Sequence, residues 1–462
     1  MDVIAVDDYT VKLEFEEPNG IVPILLSHIG PQWPRGFERF GFFAPKHYLD
    51  QFHPKYNPTS TYEKFEDKAF DLNPDLPVVT AWHVVEWDPG NKLIAERNPY
   101  YWKVDSEGNQ LPYIDRLRLD VVESKETVQL QAMAGKLDMQ GRHIDLTQIP
   151  TFKERSEDGD YRVLTWPSAW NGNPHLFFNH NTQDEVLHKL FREPKFKKAL
   201  SHAIDREEIN DTVYWGLGEP RAGTVVPSSP YYQEDLAYKY TEYNPEKAKE
   251  MLEEIGMTER GSDGFRLSPD GEKFSVVINI SLPAWPGFMD ALEMVQQDWK
   301  EVGVNTVLDP VERGTFVSNG VAGKHEVATW QTGQAIEPLV MPNWWLPMHT
   351  QSWMAPLYAK WYNTGGEEGL EPEGDLAKAL DLYEEIKTTA DREEQIEMFK
   401  QIENMHFEKN LWSVAVVGRQ PLPVIVRNYF RNVPEEAAAD WVMRTPGNQH
   451  PEQFFIQKEA QE

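Results

Sequence analysis

Apolar and polar residues alternate along much of the early part of the chain, with the period of a half-buried β-strand. The runs that do so are "YTVKLEF", "AWHVVEW", "KLIAERN" and "RLRLDVV". Turn-forming residues from Asp88 to Asn91 separate the second run from the third and predict a β-hairpin. A short helix is predicted from about Lys125 to Ala134, because Gly135 is placed to end it.

In the second part of the chain the apolar spacing becomes helical, as at Phe196, Leu200 and Ile204. Asp205 and Glu208 predict a capping box at the start of the following helix. Further helices are predicted at about 244–256, 288–302, 376–388 and 392–409, and strands at "FSVVINISL", "GVNTVLDPV", "SVAVVG" and "LPVIVRN". The strand–helix–strand order predicts a right-handed parallel crossover. The pattern indicates an α/β protein whose strand-rich first part joins a helix-richer second part near residues 171–185.

Composition narrows the class of protein. A chain of 462 residues is long enough for two domains or lobes. Its 45 Lys and Arg residues against 75 Asp and Glu give a net charge of −30, which disfavours nucleic acid and anionic membrane surfaces as partners. The absence of cysteine excludes disulfides, thiolate catalysis and cysteine-type zinc sites. No apolar run is long enough to span a membrane.

Motifs for catalysis or metal binding are not found. "KHEVATW" begins like a zinc-binding helix, but Thr329 and Trp330 stand where the second ligand is needed. His143 and Asp145 are close in sequence, and a surface pair is favoured over a ligand set. No phosphate-binding loop, dinucleotide fingerprint or nucleophile elbow is present. The sequence therefore predicts no catalytic residue, no metal and no cofactor.

Tryptophan is the unusual feature, with sixteen residues, several of them beside Asn, Gln or His. An indole offers a flat apolar face and one N–H donor, which suits stacking on a sugar ring or contact with a peptide; the alternative is core packing. Prolines break the stretch from 342 to 356 and are expected to hold its indoles on a loop. Trp361, near Leu357 and Tyr358, is predicted to pack instead. The ligand-binding candidates are Trp166, Trp170, Trp330 with Gln331, Trp344, Trp345 and Trp353.

Several motifs resemble one family in the same order along the chain. They include "FKKALSHAIDRE", "GLGEP", "YNPEKAKEMLEEIGM" and "NPYYWKVDSEGNQLPYIDRLRLDVV". The sequence resembles the family 5 extracellular solute-binding proteins of ABC importers, in the oligopeptide- and dipeptide-binding class. The fourth motif is similar to a large subgroup that takes up peptides or oligosaccharides. Lys197 and Lys198 stand where the family more usually has Arg-Gln.

The resemblance implies an α/β, two-lobe periplasmic-binding-protein-like clamp (type II, cluster C-like) with mixed sheets. Lobe I would comprise residues 1–170 plus 415–462 and lobe II residues 171–414, with hinge crossings near 171–179 and 412–419. A ligand would be held in a cleft without any bond being made or broken. Arg142, at the predicted rim of lobe I, would either face that cleft or pair with a surface carboxylate. The "DDYTV" strand lies well inside lobe I of the family, which implies that this chain is truncated at its N-terminus and that lobe I is incomplete.

The resemblance also implies partners and place. These are an oligopeptide or oligosaccharide ligand and ABC permease subunits with ATPases behind them, for an extracytoplasmic monomer that is periplasmic or a cell-surface lipoprotein. Peptide-binding members use a lobe II aspartate for the ligand amine, whereas the corresponding stretch 328–350 has Glu337 and no aspartate. This departure favours sugars or neutral ligands. A secreted carbohydrate-active enzyme and a ligand sensor module are the alternatives.

Overall fold

Contacts between residues divide the chain into two units in the computed structural model, which describes residues 1–28, 44–70, 72–333 and 336–457. The first unit comprises Met1–Ile24 and Ser168–Pro421, and the second comprises Leu25–Pro167 and Leu422–Glu462. These contacts group the first 24 residues with 168–421, whereas the resemblance grouped them with the residues that follow. The predicted lobe limits and hinge crossings stay a prediction.

The strands are β1 (Asp2–Ala5), β2 (Val11–Glu14), β3 (Trp82–Asp88), β4 (Lys92–Arg97), β5 (Arg116–Asp120), β6 (Met139–Gln140), β7 (Tyr161–Trp166), β8 (Gly172–Phe178), β9 (Glu219–Pro220), β10 (Val276–Leu282), β11 (Thr306–Glu312), β12 (Val327–Thr332), β13 (Ser413–Ala415), β14 (Val417–Gly418), β15 (Leu422–Arg427), β16 (Phe430–Arg431) and β17 (Phe455–Ile456).

The α-helices are α1 (Val22–His28), α2 (Lys46–Leu49), α3 (Tyr62–Ala69), α4 (Lys125–Met133), α5 (Ile149–Glu154), α6 (Glu185–Arg192), α7 (Pro194–His202), α8 (Arg206–Tyr214), α9 (Glu234–Ala237), α10 (Pro245–Glu254), α11 (Phe288–Glu301), α12 (Arg313–Val321), α13 (Pro356–Asn363), α14 (Gly374–Thr388) and α15 (Arg392–Glu403). Short 3₁₀ turns include Pro338–Val340 and Pro342–Trp344. None of the helices in the described part of the chain is both long and apolar enough to cross a membrane.

The largest sheet of the first unit has five strands in the order β11-β10-β12-β8-β13. Strand β10 is parallel to β11 and β12, and β8 is antiparallel to β12 and β13, so the sheet is mixed. The predicted parallel crossover is confirmed, because α11 connects β10 to β11. Every residue of β8 is buried, so the core of this unit lies on both faces of the sheet.

Helices α11 and α12 cover opposite faces of this sheet. Trp299 of α11 stacks on Phe178 of β8, with ring centroids 6.4 Å apart. Phe316 of α12 stacks on Trp330 of β12. Trp330 pairs with His175, an odd number of positions from Phe178 along β8, so the two contacts lie on different faces.

The ends of two helices show where the sequence prediction is right and where it is wrong. The Asp205 side chain accepts the Glu208 N–H at 3.0 Å and begins α8. The other half of the predicted capping box is missing, because the Asp205 N–H donates to Asp298 Oδ2 at 3.0 Å. The helix predicted over 392–409 is too long, since α15 ends at Glu403 and a π-helical turn follows over Asn404–Asn410.

The second unit contains two three-stranded sheets, β3-β4-β5 and β6-β15-β7. The predicted hairpin is confirmed, because β3 and β4 pair across a turn closed by the Asn91 N–H to Asp88 O bond of 3.0 Å. Gly90 in that turn has φ of +83°, which glycine adopts without steric cost. The second sheet packs a core that includes Leu164, Val424 and Val426.

Candidate functional site

Three parallel strands of the first unit end at the same edge of the sheet, and polar or aromatic side chains follow each of them. Trp285 lies in the loop after β10, Arg313 begins α12 directly after β11, and Trp330 and Gln331 are near the end of β12. Together with Phe316 of α12 these five residues are called the strand-end cluster. Ligands of open α/β sheets bind beyond the carboxyl ends of the strands, so this edge is the candidate site.

Aromatic contacts hold the Trp330 indole in one orientation. Phe316 stacks on it with ring centroids 5.7 Å apart and planes at 23°. Trp285 meets it edge-on at 6.4 Å and 88°. The Arg313 guanidinium lies 5.0 Å from the ring centroid, within the range of a cation–π contact. Trp330 and Trp285 are both half-buried, so the cluster keeps part of its aromatic surface open to solvent.

Local sequence places Arg313 at this edge. The Glu312 side chain accepts the N–H groups of Gly314 at 2.7 Å and Thr315 at 3.2 Å, and thereby starts α12 immediately after β11. These backbone hydrogen bonds also lower the pKa of Glu312. Arg313 is exposed, and within the described part of the chain it forms no ion pair with a carboxylate. The edge therefore presents an unneutralised cation beside an indole.

Gln331 lies where the pairing of β12 with β8 is irregular. The register shifts between Trp330 and Thr332, and such a bulge turns a side chain away from its regular direction. Thr332 is fixed by its hydroxyl, which lies 2.9 Å from His175 Nδ1. Burial lowers the pKa of His175 to about 3, so this imidazole is neutral at physiological pH. Gln331 remains half-buried beside Trp330, as a polar group available to a ligand.

The indoles of the segment from 342 to 356 lie in the interior. Trp353 is 0% exposed, and its ring contacts Phe316, His325 and Trp330 at centroid distances of 5.4, 6.2 and 6.3 Å. A Cβ on Gly320 would lie 2.5 Å from this ring, so the close approach of α12 requires glycine there.

The neighbouring indoles are also covered. Trp344 packs against Phe177 at 5.7 Å and Trp345 against Phe399 at 5.8 Å. Trp344, Trp345 and Trp353 are thus covered within the fold, and ligand contact by them stays a prediction. Trp361, predicted to pack, is half-buried on α13.

The polar residues around these indoles have a structural role. Ser352 Oγ accepts the N–H groups of Met348 and His349, both at 3.2 Å, and donates to Leu346 O at 2.8 Å. The polar side chain thus satisfies backbone groups of its own loop. Polar neighbours in sequence favoured ligand contact by these indoles. In the structure, the polar side chain of Ser352 is used by the turn itself.

The remaining sequence candidates are dispersed. Trp166 lies in the core of the second unit, where its Nε1 donates to Pro434 O at 3.0 Å. Trp170 is half-buried in the first unit, and its carbonyl accepts the Arg419 N–H at 2.6 Å. Arg142 is exposed in a turn of the second unit and forms no ion pair within the described residues. Ligand contact by these three stays a prediction.

Glu337 is committed to other protein groups. It is buried, and its carboxylate accepts the Tyr231 hydroxyl at 2.5 Å and pairs with the Arg392 guanidinium. Arg392 also donates to the Tyr231 hydroxyl at 2.6 Å and lies over the Tyr231 ring. Burial, and to a smaller extent the negative charge of Glu337, raises the pKa of Tyr231 above its usual range. This carboxylate is therefore fully used within the first unit.

Sequence reasoning missed Trp285, Arg313 and Phe316. A usable signal was present, because Trp285 stands between two prolines directly after an apolar strand and Arg313 is the first residue after the next. Across the described residues, no three His, Asp or Glu side chains are arranged to hold a metal ion. Asp145, considered earlier as a ligand, instead accepts the Thr147 N–H at 2.8 Å and starts a 3₁₀ turn.

Comparison with known proteins adds the family. The model of the bacterial extracellular solute-binding proteins, family 5, matches residues 1–353. The chain belongs to this family. The resemblance stated from the motifs is confirmed, and so is the α/β fold with mixed sheets.

Individual relatives of this family 5 protein are solute-binding proteins, not enzymes. A periplasmic alpha-galactoside-binding protein of Rhizobium meliloti (strain 1021) is 24% identical over 94% of this chain, which spans 61% of that relative's length. The structure of an oligopeptide-binding protein OppA is 35% identical, with a TM-score of 0.72 over 99% of this chain and 75% of the other. The periplasmic binding protein MelB of Agrobacterium fabrum C58, in complex with stachyose, has the same TM-score of 0.72 at 20% identity, covering 99% of this chain and 67% of the other.

Proposed function

We propose that this family 5 protein is the extracytoplasmic solute-binding component of an ABC importer. It captures a neutral oligosaccharide as a monomer and delivers it to the membrane permease, behind which the ATPases stand. The observation that carries the ligand class is the strand-end cluster, where a half-buried Trp330 is fixed by a stacked Phe316 and an edge-on Trp285. A rigid, partly open indole is a surface on which a sugar ring stacks.

Polar groups beside the indole complete the recognition of a neutral ligand. Gln331 offers both a donor and an acceptor, and Arg313 offers donors without a competing carboxylate. Hydroxyl groups of a sugar can accept from Arg313 and exchange hydrogen bonds with Gln331. The α-galactoside-binding and stachyose-bound relatives support this ligand class.

An oligopeptide is the second candidate, favoured by the 35% identity to OppA. The stretch 328–350 has Glu337 as its one acidic residue. Its carboxylate is already bound by Tyr231 and Arg392, so it is not available to a ligand amine. Any peptide that binds here is expected to be held by its backbone and side chains.

A thermal-shift screen followed by calorimetric titration tests the proposal on the 462-residue chain. The probes are stachyose, cello-, xylo- and manno-oligosaccharides, and tri- to pentapeptides in free and N-acetylated form. An oligosaccharide is expected to raise the melting temperature, because it binds the folded state only. N-acetylation should change the Kd of any peptide that binds by about twofold or less, because no carboxylate is available to the ligand amine. If a carboxylate did bind the amine, the loss of that charged hydrogen bond would change the Kd by more.

Variants tie the result to the site. Trp330→Ala should abolish the shift, whereas Trp102→Ala, at a surface position of the second unit that is 72% exposed, should keep it. Binding of free-amine peptides alone would contradict the neutral-ligand proposal. Loss of ligand binding in Trp102→Ala but not in Trp330→Ala would place the site elsewhere.

A further inference from the structure

Two indoles of the strand-end cluster meet at a right angle. The Trp285 and Trp330 rings have centroids 6.4 Å apart and planes at 88°. Trp285 follows β10 and Trp330 is near the end of β12, and these strands are parallel neighbours in the sheet. Whichever ring presents its edge, two planes in this arrangement bound a corner with one face of each ring. Both rings are half-buried, so each keeps part of its surface open to solvent.

The loop that carries Trp285 is held against α8, which fixes the position of this indole. Gly287 has φ of +74°, and a Cβ there would lie 2.7 Å from Tyr214 Cε1 and 2.8 Å from Val213 Cγ1. Only glycine permits this backbone conformation and this close approach without strain. The Phe288 N–H donates to Trp285 O at 3.1 Å and joins the loop to the start of α11. The indole is therefore presented by a short, anchored turn.

Trp330 is fixed by rings from the interior of the unit. Phe316 stacks on it with centroids 5.7 Å apart, and the fully buried Trp353 ring lies 6.3 Å from it. Trp353 also contacts Phe316 at 5.4 Å, so the three rings support one another. Turning either indole of the corner would disturb packed neighbours. The right angle between Trp285 and Trp330 is thus built into the fold.

A right-angled corner distinguishes saccharides by their linkage. A sugar ring stacks with its apolar face parallel to an indole. Two successive sugar rings can therefore stack on Trp285 and Trp330 only where the linkage sets their planes nearly at a right angle. A 1→6 linkage has an additional rotatable bond and permits this arrangement. Glucose units in β-1→4 linkage form a flat ribbon instead, which can stack on only one of the two indoles at a time.

We propose that Trp285 is a ligand-binding residue that selects kinked, 1→6-linked oligosaccharides, with one sugar ring stacked on Trp330 and the next on Trp285. The inference rests on the function proposed above and narrows its ligand class to one type of linkage. Stachyose, which contains α-1→6 linkages, has the required shape. A flat oligosaccharide keeps the Trp330 contact alone and binds more weakly.

Two tetramers of glucose that differ only in their glycosidic linkages test this in the full chain. Calorimetry measures the Kd for isomaltotetraose, which is α-1→6-linked, for cellotetraose, which is β-1→4-linked, and for stachyose. The wild-type chain should bind both 1→6-linked ligands about fivefold or more tighter than cellotetraose. Trp285→Ala should raise the Kd for these two ligands about fivefold or more and change the Kd for cellotetraose by about twofold or less.

Cellotetraose is the internal control, because it still needs Trp330 in place. A substitution that merely lets Trp330 move would weaken the binding of both glucose tetramers alike. Trp285→Phe keeps a flat ring and should recover part of the lost affinity. Trp102→Ala, at the 72% exposed position in the second unit, should leave all three Kd values unchanged. Melting temperatures without ligand show that each variant is folded.

Equal losses for isomaltotetraose and cellotetraose in Trp285→Ala would show that Trp285 only supports Trp330, and would overturn the inference. Wild-type binding of cellotetraose as tightly as isomaltotetraose would overturn it as well. Tight binding of stachyose with equally weak binding of both glucose tetramers would assign the selection to sugar identity rather than linkage, which is a third contrary result. If none of the three ligands binds, the proposed ligand class is itself contradicted, whereas binding without a linkage preference contradicts the inference alone.

Discussion

Two indole-rich regions of the first unit lie on the same face of one sheet and differ in what covers them. In the strand-end cluster, Trp285 and Trp330 are half-buried and an exposed Arg313 lies over the Trp330 ring. In the proline-broken segment from 342 to 356, Trp345 and Trp353 are 1% and 0% exposed. The two regions share polar neighbours in sequence and differ in burial, and we expect the half-buried strand-end indoles to contact a ligand.

Charge separates the two regions as well. The strand-end cluster carries a solvated cation. The segment from 342 to 356 instead packs near buried histidine and lysine side chains, whose charged forms are disfavoured by burial. Burial lowers the pKa of His325, whose Nε2 lies 2.7 Å from Trp353 O, to about 4. The backbone N–H of His180 donates to Met354 O at 2.7 Å, and the ring Nε2 of His180 lies 3.4 Å from the buried Lys197 Nζ. The segment is therefore expected to determine stability and the cluster to determine binding.

The largest expected effect is on stability, in Trp353→Ala. Removing a fully buried indole leaves a cavity between α12 and β12, which should cost about 3–5 kcal/mol in the free energy of unfolding. Calorimetry and urea titration measure this, with Trp215→Ala at a 58% exposed position as the control, expected to cost about 1 kcal/mol or less. Equal losses in the two variants would contradict the assignment of Trp353 to the core.

Local patterns predicted most helices and strands of this fold, because capping residues and periodicity act within a few positions. They could not predict the pairing of Glu337 with Tyr231 and Arg392, whose partners are 106 and 55 residues away. The same limit applies to Asp298, which takes the Asp205 N–H from a helix 93 residues further on. The burial of individual indoles could not be predicted for the same reason, since the rings that cover an indole come from distant elements.

A pH-dependent change in the free energy of unfolding, of intermediate size, is expected from Lys197, which lies next to His180 near the segment from 342 to 356. The ammonium is buried without a carboxylate partner, donates to Phe191 O and lies near His180. Burial lowers its pKa to about 7, against 10.5 in the unfolded chain. The unfolded state therefore binds the proton more tightly, and this group makes the fold less stable at neutral pH than at higher pH.

Lys197→Met removes this linkage and is the test. The stability of the variant relative to wild type should be greatest near pH 7 and should decline by about 1–3 kcal/mol as the pH rises from 7 to 10. Urea titrations at several pH values measure the difference. Lys198→Met is the control with no such trend, at a half-buried position of the same helix where Nζ donates to Glu408 O at 3.0 Å. A wild-type-minus-variant difference that is constant with pH would contradict a buried, titrating Lys197.

The smallest effect on the fold and the most direct effect on binding are expected in Trp330→Ala. Its half-buried ring is partly open, so the loss of unfolding free energy should be below that of Trp353→Ala. Loss of the stacking surface should raise the Kd for stachyose about tenfold or more, as for a central aromatic contact in a binding site. Trp330→Phe keeps a flat ring over Phe316 and should recover part of the affinity, which a purely structural role would not require. If Trp330→Ala binds stachyose like wild type while Trp353→Ala, refolded and stable at low temperature, does not, then the two regions have exchanged roles and the strand ends only support the fold.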